Sequence, residues 1–309
     1  MRKIMIIALA AMMMTGCGKQ VIEDAIADDP ESGVVDEVKT KKFTFTVKGE
    51  FASMTVNDEY SSEPAMAPRH RAPGYLQADG QEMTDLWVYD YMDDECVQSL
   101  HQSPSDADWG KPQMQLAYGS HHIYFVASRG ANASVDASAS QIVWEKPSDT
   151  FWKDYEVDVV STSNGNRAVT LDRVAAKFRI TITDEVPANV ATMTVTPATW
   201  YYGLNYRTGE PCEAKTGAER VVNVPATYVG TTGNLSMSIF GLSSATEWTT
   251  DVDVEAKNSN GDVIGQASLV AVPIKRNRVT DYSGPLFGAA GNMAISLNAE
   301  WDDPVTGTW

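Results

Sequence analysis

K-F-R-I-T-I-T, residues 177–183, alternates charged or hydroxyl-bearing side chains with large apolar ones. In an extended chain Phe178, Ile180 and Ile182 share one face, while Lys177, Arg179, Thr181 and Thr183 share the other, because successive strand side chains point to opposite sides. Asp184 and Pro187 end the run. A sheet with one buried and one wetted face needs this alternation, whereas an amphipathic helix needs an apolar period of about 3.6.

The same reading extends in both directions. Upstream, residues 168–171 and 155–160 are short strand candidates, and in 122–127 Ile123, Phe125 and Ala127 fall on one side. D-L-W-V-Y-D-Y at 85–91 puts Leu86 and Val88 together. Residues 52–82, with Pro64, Pro68, Pro73, Gly74 and Gly80, lose all periodicity and read as a long loop. Before that loop stands an isolated strand, F-T-F-T-V at 43–47, with Phe43, Phe45 and Val47 on one face. Downstream, Met193 and Val195 alternate with threonines, Leu235, Met237 and Ile239 with serines, and Val252, Val254 and Ala256 with acids. Asn260-Gly261 predicts a hairpin turn with positive φ at both positions. Met293, Ile295, Leu297, Ala299 and Trp301 form a last alternating stretch. The only helical expectation is a single turn within 171–176. Many short strands between turn signals predict an all-β protein of β-sandwich type, with a boundary near 184–189 dividing it into domains at 43–185 and 186–309.

The N-terminus carries a different signal. Arg2 and Lys3 precede an uncharged apolar run at 4–14, then Thr15, Gly16 and Cys17. A positive start, a short apolar core and small residues before a cleavage point describe a secretory signal over residues 1–16. The run is shorter than the roughly 20 apolar residues that span a bilayer. Gly16-Cys17 resembles a bacterial lipobox, cut before the cysteine, although Met14 stands where Leu is usual. Cys17 is therefore the expected lipid-bearing residue, and the polar, acidic stretch to residue 42 reads as a flexible tether, 17–42.

The formal charge is −17, and loss of Arg2 and Lys3 with the signal takes it to about −19. No basic cluster offsets this, so nucleic-acid binding is not expected. Cys96 and Cys212 fall in different halves, and sequence leaves their connectivity open. His70, His101, His121 and His122 have no metal-ligand spacing with these cysteines. His121 and His122, as strand neighbours, point to opposite faces and cannot serve one site. Asp93-Asp94-Glu95 and Asp302-Asp303 lack the spacing of a calcium loop and read as solvated turns. Trp200-Tyr201-Tyr202 is a candidate sugar platform, with packing at a core or edge the plainer reading. No nucleophile elbow, phosphate loop or zincin helix occurs, and a sandwich hydrolase would need paired carboxylates that no motif places. No enzymatic activity, cofactor or metal is expected.

Six segments, taken in order, resemble the Bacteroidales-type fimbrillins, the subunits and anchor lipoproteins of type V pili. They are the lipoprotein signal ending at Cys17, F-T-F-T-V-K-G-E-F at 43–51 with the following Arg69 and Arg71, M-T-D-L-W-V-Y-D-Y at 83–91, L-A-Y-G-S-H-H-I-Y-F-V-A-S at 116–128, L-D-R-V-A-A-K-F-R-I-T-I-T-D at 171–184, and P-I-K-R-N-R-V-T-D-Y-S-G-P-L-F at 273–287. The resemblance implies two transthyretin-like β-sandwich domains in a fimbrial subunit or anchor at the outer membrane and cell surface. It implies cleavage by an Arg-specific protease at Arg71 or Arg69, release of the strand bearing Phe43, Phe45 and Val47, and filling of the vacated groove by a C-terminal strand of another subunit. The implied partners are other fimbrial subunits, the membrane through the lipid, and surface ligands on host or bacterial cells. A lipid-anchored glycan-binding protein using residues 200–202 is the alternative.

Overall fold

The computed structural model describes residues 38–49, 77–78, 81–288 and 294–298. The signal, Cys17, Arg69, Arg71, Trp301 and Asp302-Asp303 lie outside them, as do most of the 17–42 tether and of the 52–82 loop. The chain runs as β1 (Thr40–Gly49), β2 (Gln77–Ala78), β3 (Gln81–Glu82), β4 (Asp85–Met92), β5 (Glu95–Gln102), β6 (Gln113–Ala117) and β7 (Gly119–Ser128). It continues as β8 (Ala131–Asp136), β9 (Gln141–Lys146), β10 (Thr150–Val159), β11 (Asn166–Arg173), β12 (Ala175–Ile182), β13 (Val190–Pro197) and β14 (Thr199–Asn205). The last third is β15 (Glu210–Thr216), β16 (Arg220–Asn223), β17 (Leu235–Leu242), β18 (Trp248–Asn258), β19 (Val263–Ile274), β20 (Val279–Gly284) and β21 (Ala294–Asn298). One 3-10 turn at Ala226–Tyr228 is the only helical element among the described residues. The protein is all-β, and no described helix is long and apolar enough to cross a membrane.

The first half is a seven-stranded sheet in the order β5-β4-β7-β10-β11-β1-β6. β10 and β11 join only through Phe151–Arg173 and Trp152–Asp172. The arms on either side of that join meet in one core, in which Leu86, Val88, Ile123 and Phe125 from one arm face Phe43, Phe45, Met114 and Leu171 from the other. The second half is two four-stranded sheets, β17-β12-β20-β21 and β16-β13-β18-β19. Phe178, Ile180 and Ile182 on β12 meet Met193, Val195, Val252 and Val254 there, each fully buried, as the alternation requires.

A third sheet, β15-β14-β9-β8, draws two strands from each half. Gly203, Leu204 and Asn205 of β14 pair with Val143, Ile142 and Gln141 of β9. It covers the outer face of β4 and β7, so Trp87, Tyr89, Tyr91 and Tyr124 are buried along with the inner face. Tyr206, from the turn after β14, stacks on Tyr89 with ring centroids 4.0 Å apart. The indole of Trp152 donates to the Tyr206 carbonyl at 2.7 Å. Gly209 closes that turn at φ +68 with Trp152 against its Cα, where a Cβ would come within 2.7 Å of the indole.

Five expectations change against the coordinates. Residues 171–176 form the end of β11 and the start of β12, with no helical turn, since both are laced into sheets. Lys177 is buried at 3% exposure, not solvated: its ammonium sits over the Phe240 ring, 5.2 Å from the centroid. β1 starts at Thr40, so residues 40–42, read as tether, pair with β6 through backbone that sequence alternation does not register. Within 52–82, residues 77–78 and 81–82 pair as a small hairpin. The β18–β19 turn takes positive φ at Gly261 only, because Asn258 Oδ1 accepts from the amides of Asn260 and Asp262 and closes a longer loop.

Candidate functional site: the seat of the first strand

Of the residues singled out from sequence, Phe43, Phe45 and Val47 come together in one place. All three are wholly buried. Phe43 and Phe45 stack at 6.0 Å, and Phe45 meets Phe125 edge-on at 5.3 Å and Tyr155 at 6.0 Å. The Arg167 guanidinium lies over the Phe43 ring, 5.5 Å from its centroid. Burying three such side chains contributes a gross transfer free energy of about 5–9 kcal/mol, before the entropy of ordering the strand is subtracted.

β1 is hydrogen-bonded along both edges. It runs antiparallel to β6, Phe43 opposite Met114, and parallel to β11, Thr46 opposite Ala168. Past the end of β6 the amides of Phe45 and Val47 donate to Pro112 and Gly110 carbonyls at 3.0 Å each. On the other edge Thr44 donates to Gly165 at 2.7 Å. The approach there is so close that a Cβ on Gly165 would stand 2.3 Å from the Lys42 carbonyl oxygen. Lys41 anchors the outer end by donating to the Ser161 carbonyl at 2.8 Å. With β1 absent, the seat would be an apolar trough with unpaired backbone groups down both walls, a strong template for another strand.

Among the described residues β21 pairs with β20 alone, from Val279–Asn298 to Ser283–Ala294. Asp184 holds the segment just before it: its carboxylate accepts from the amides of Leu286, Phe287 and Gly288 at 3.0, 2.6 and 2.7 Å. Burial raises the Asp184 carboxyl, but these amides outweigh it and hold the group below the ordinary range. In the sequence Asp184 reads only as a strand terminator, because its amide partners lie about a hundred residues downstream.

The remaining candidates are dispersed. His121 is buried and His122 exposed, on opposite faces of β7 as their adjacency requires. His121 Nδ1 lies 2.7 Å from Asp90 Oδ1 and Nε2 lies 2.9 Å from the Ala117 carbonyl. Burial opposes charging the ring, yet Asp90 and that carbonyl more than offset it and raise the imidazole above its usual value. Asp93 and Asp94 form the tight β4–β5 turn, both at positive φ. Trp200 is 2% exposed and its indole donates to the Phe240 carbonyl at 2.8 Å, so it offers no face to a sugar. Tyr201 packs edge-on against Trp248, and Lys215 sits over the Tyr202 ring. Cys212 is a free thiol, so residues 96 and 212 are not bridged, and burial together with Glu213 pushes it up to about 11.

Among solved structures the chain is similar to a fimbrial assembly protein from Parabacteroides distasonis, at 10% identity over 85% of this chain and 100% of that one, with a TM-score of 0.46. It is similar to the tip fimbrial protein Mfa3 from Porphyromonas gingivalis, at 12% identity over 84% and 99%, with a TM-score of 0.42. It is also similar to a candidate adhesin from Bacteroides ovatus, at 12% identity over 74% and 77%, with a TM-score of 0.44. No curated protein sequence matches the chain. The model of a family of unknown function, DUF6562, matches residues 132–308, from β8 to beyond β21. That match spans more than half of the sequence, and the chain belongs to the DUF6562 family.

Proposed function

We propose that this protein is a lipid-anchored surface subunit or anchor of a fimbria that joins its neighbours by exchanging β-strands. The observation that carries the reading is the seat of β1: one strand, bonded on both edges, with three alternate side chains wholly buried. In sequence, Arg69 and Arg71 fall between that strand and the body of the first sandwich. Cleavage after Arg71, with Arg69 the lesser candidate, cuts the covalent link between β1 and the fold. Release of β1 then takes with it everything upstream, Cys17 and its lipid included.

An incoming strand would have to present alternate apolar residues and a free ladder edge. Met293, Ile295, Leu297 and Ala299 have that spacing, and among the described residues β21 is a short edge strand paired only with β20. The role is mechanical: hydrogen-bond ladders and apolar pockets carry the joint, and no chemistry is required of the subunit. A chain that keeps its leader uncut serves instead as the membrane-proximal anchor. The glycan-binding alternative loses its central residue, since Trp200 is a core side chain.

Limited trypsin treatment of the full chain tests the reading. The expected result is a first cut after Arg71 followed by SDS-resistant ladders. A cut chain that keeps β1 bound and stays monomeric even under mild denaturant would rule out exchange. Labelling of cells with an alkynyl fatty acid tests the anchor, with the label expected on the native protein and absent from Cys17→Ala.

A further inference from the structure

His122, Asp154 and Glu156 have no part in strand exchange, yet the sheet gathers them on one exposed surface. His122 on β7 and Glu156 on β10 are register partners across an antiparallel ladder, and Asp154 lies two residues along β10 on the same face. One imidazole nitrogen and one oxygen from each carboxylate all lie within 4.8 Å of one another. His122 Nδ1 is 3.1 and 3.2 Å from the two Asp154 oxygens. The His122 side chain is 49% exposed and that of Asp154 28%, so solvent reaches the cluster.

We propose that these three side chains form a binding site for a zinc-type divalent cation. Ligands held about 2.1 Å from such an ion stand about 3.4 Å apart in tetrahedral geometry, a spacing reachable here by side-chain rotation alone. The donor set points the same way. One imidazole and two carboxylates suit a first-row metal, whereas calcium takes oxygens only and six or more of them. An unfilled site would hold two facing carboxylates balanced by at most one imidazolium, in a chain already at −17, and a divalent ion relieves that repulsion.

The surroundings favour a fixed site over a chance ion pair. His122 stacks on Tyr124 with ring planes 18° apart, and Tyr124 is hydrogen-bonded by Arg207, which in turn pairs with Asp94. The ring is therefore oriented by a buried neighbour, as outer-shell partners orient ligands in established metal sites. Three protein ligands leave at least one position open to water, or to a donor atom from another molecule at this surface. The three residues stand on two directly paired strands of one sheet.

Calorimetric titration of the chelator-treated full chain with zinc chloride tests the site, and cobalt substitution reports its ligands. The wild-type protein should bind one tight zinc. His122→Ala and Glu156→Gln should each weaken it about tenfold or more, the scale on which even outer-shell changes act. His101→Ala, whose ring pairs with Asp85 elsewhere on the sheet, should leave the affinity unchanged. The cobalt form should show visible d–d bands without a thiolate charge-transfer band. Circular dichroism melts of each apo variant confirm that it is folded. Failure of the wild-type chain to take up either metal, retention of zinc affinity in folded His122→Ala, or a thiolate band would each overturn the assignment.

Discussion

At the level of single residues, the polar groups that sequence treats as surface turn out to be structural pins. His121 and Asp90 close one end of the first core as a buried pair, with side chains 0% and 1% exposed. Removing one partner of such a pair leaves an uncompensated buried group and costs about 3–5 kcal/mol, so His121→Ala should lower the midpoint of urea unfolding substantially. Because His121 is raised above its ordinary value, its contribution is fully present below pH 6.5 and is lost as pH rises through the folded value. The stability gap between wild type and His121→Ala should therefore be widest near pH 6 and narrow in alkaline solution. A gap independent of pH would show that folding leaves the proton affinity of this imidazole unshifted. Asp184 has the opposite sign: being lowered, it stabilises above the unfolded carboxylate value and stops doing so as pH falls through its folded value. The protection factor of the Leu286–Gly288 amides, the observed exchange rate corrected for the intrinsic rate at each pH, should fall in Asp184→Asn at neutral pH and in wild type only in acid. The alternation rule, which handles Phe178 and Ile180 correctly and puts His121 on the face of Ile123 and Phe125, has no means of seeing Lys177 as buried, because what covers the second face of a strand comes from segments far away in sequence.

At the level of the strand, the proposed function turns on whether β1 stays attached. Phe45→Ala deletes a ring that touches Phe43, Phe125 and Tyr155. The cavity it leaves should cost about 3–5 kcal/mol by equilibrium unfolding. Gly165→Val acts through the backbone: its Cβ would collide with the Lys42 carbonyl, which a flexible side chain cannot relieve. The expected outcome is loss of amide-exchange protection at Thr44–Val47 with the β12–β17 ladder unaffected. Global loss of protection would mean instead that β1 cannot detach independently of the fold. The apolar face of β1 was readable from F-T-F-T-V alone. Its double-edged pairing was not, since β6 and β11 lie more than sixty residues downstream.

At the level of the molecule, the third sheet binds the two halves. Tyr206 reaches from the second half onto Tyr89 and Tyr91 of the first, stacking on one and sharing a hydroxyl contact of 3.2 Å with the other. Tyr206→Ala should separate thermal unfolding into two transitions where the wild type shows one, with calorimetric and van't Hoff enthalpies diverging in the variant. A single sharp transition in the variant would mean that the pairing of β9 with β14 is sufficient by itself.

The sequence by itself determined that the chain is built of strands and which side of most strands is oily, because side-chain direction in extended backbone has a period of two whatever the strand packs against. Tertiary structure alone decided which strands are neighbours, that β4 and β7 are covered on both faces, that Trp200 is interior, and that His122 meets two carboxylates from another strand. Those facts depend on pairing between segments remote in the chain, and the free energy of such pairing resides in contacts that no local pattern encodes.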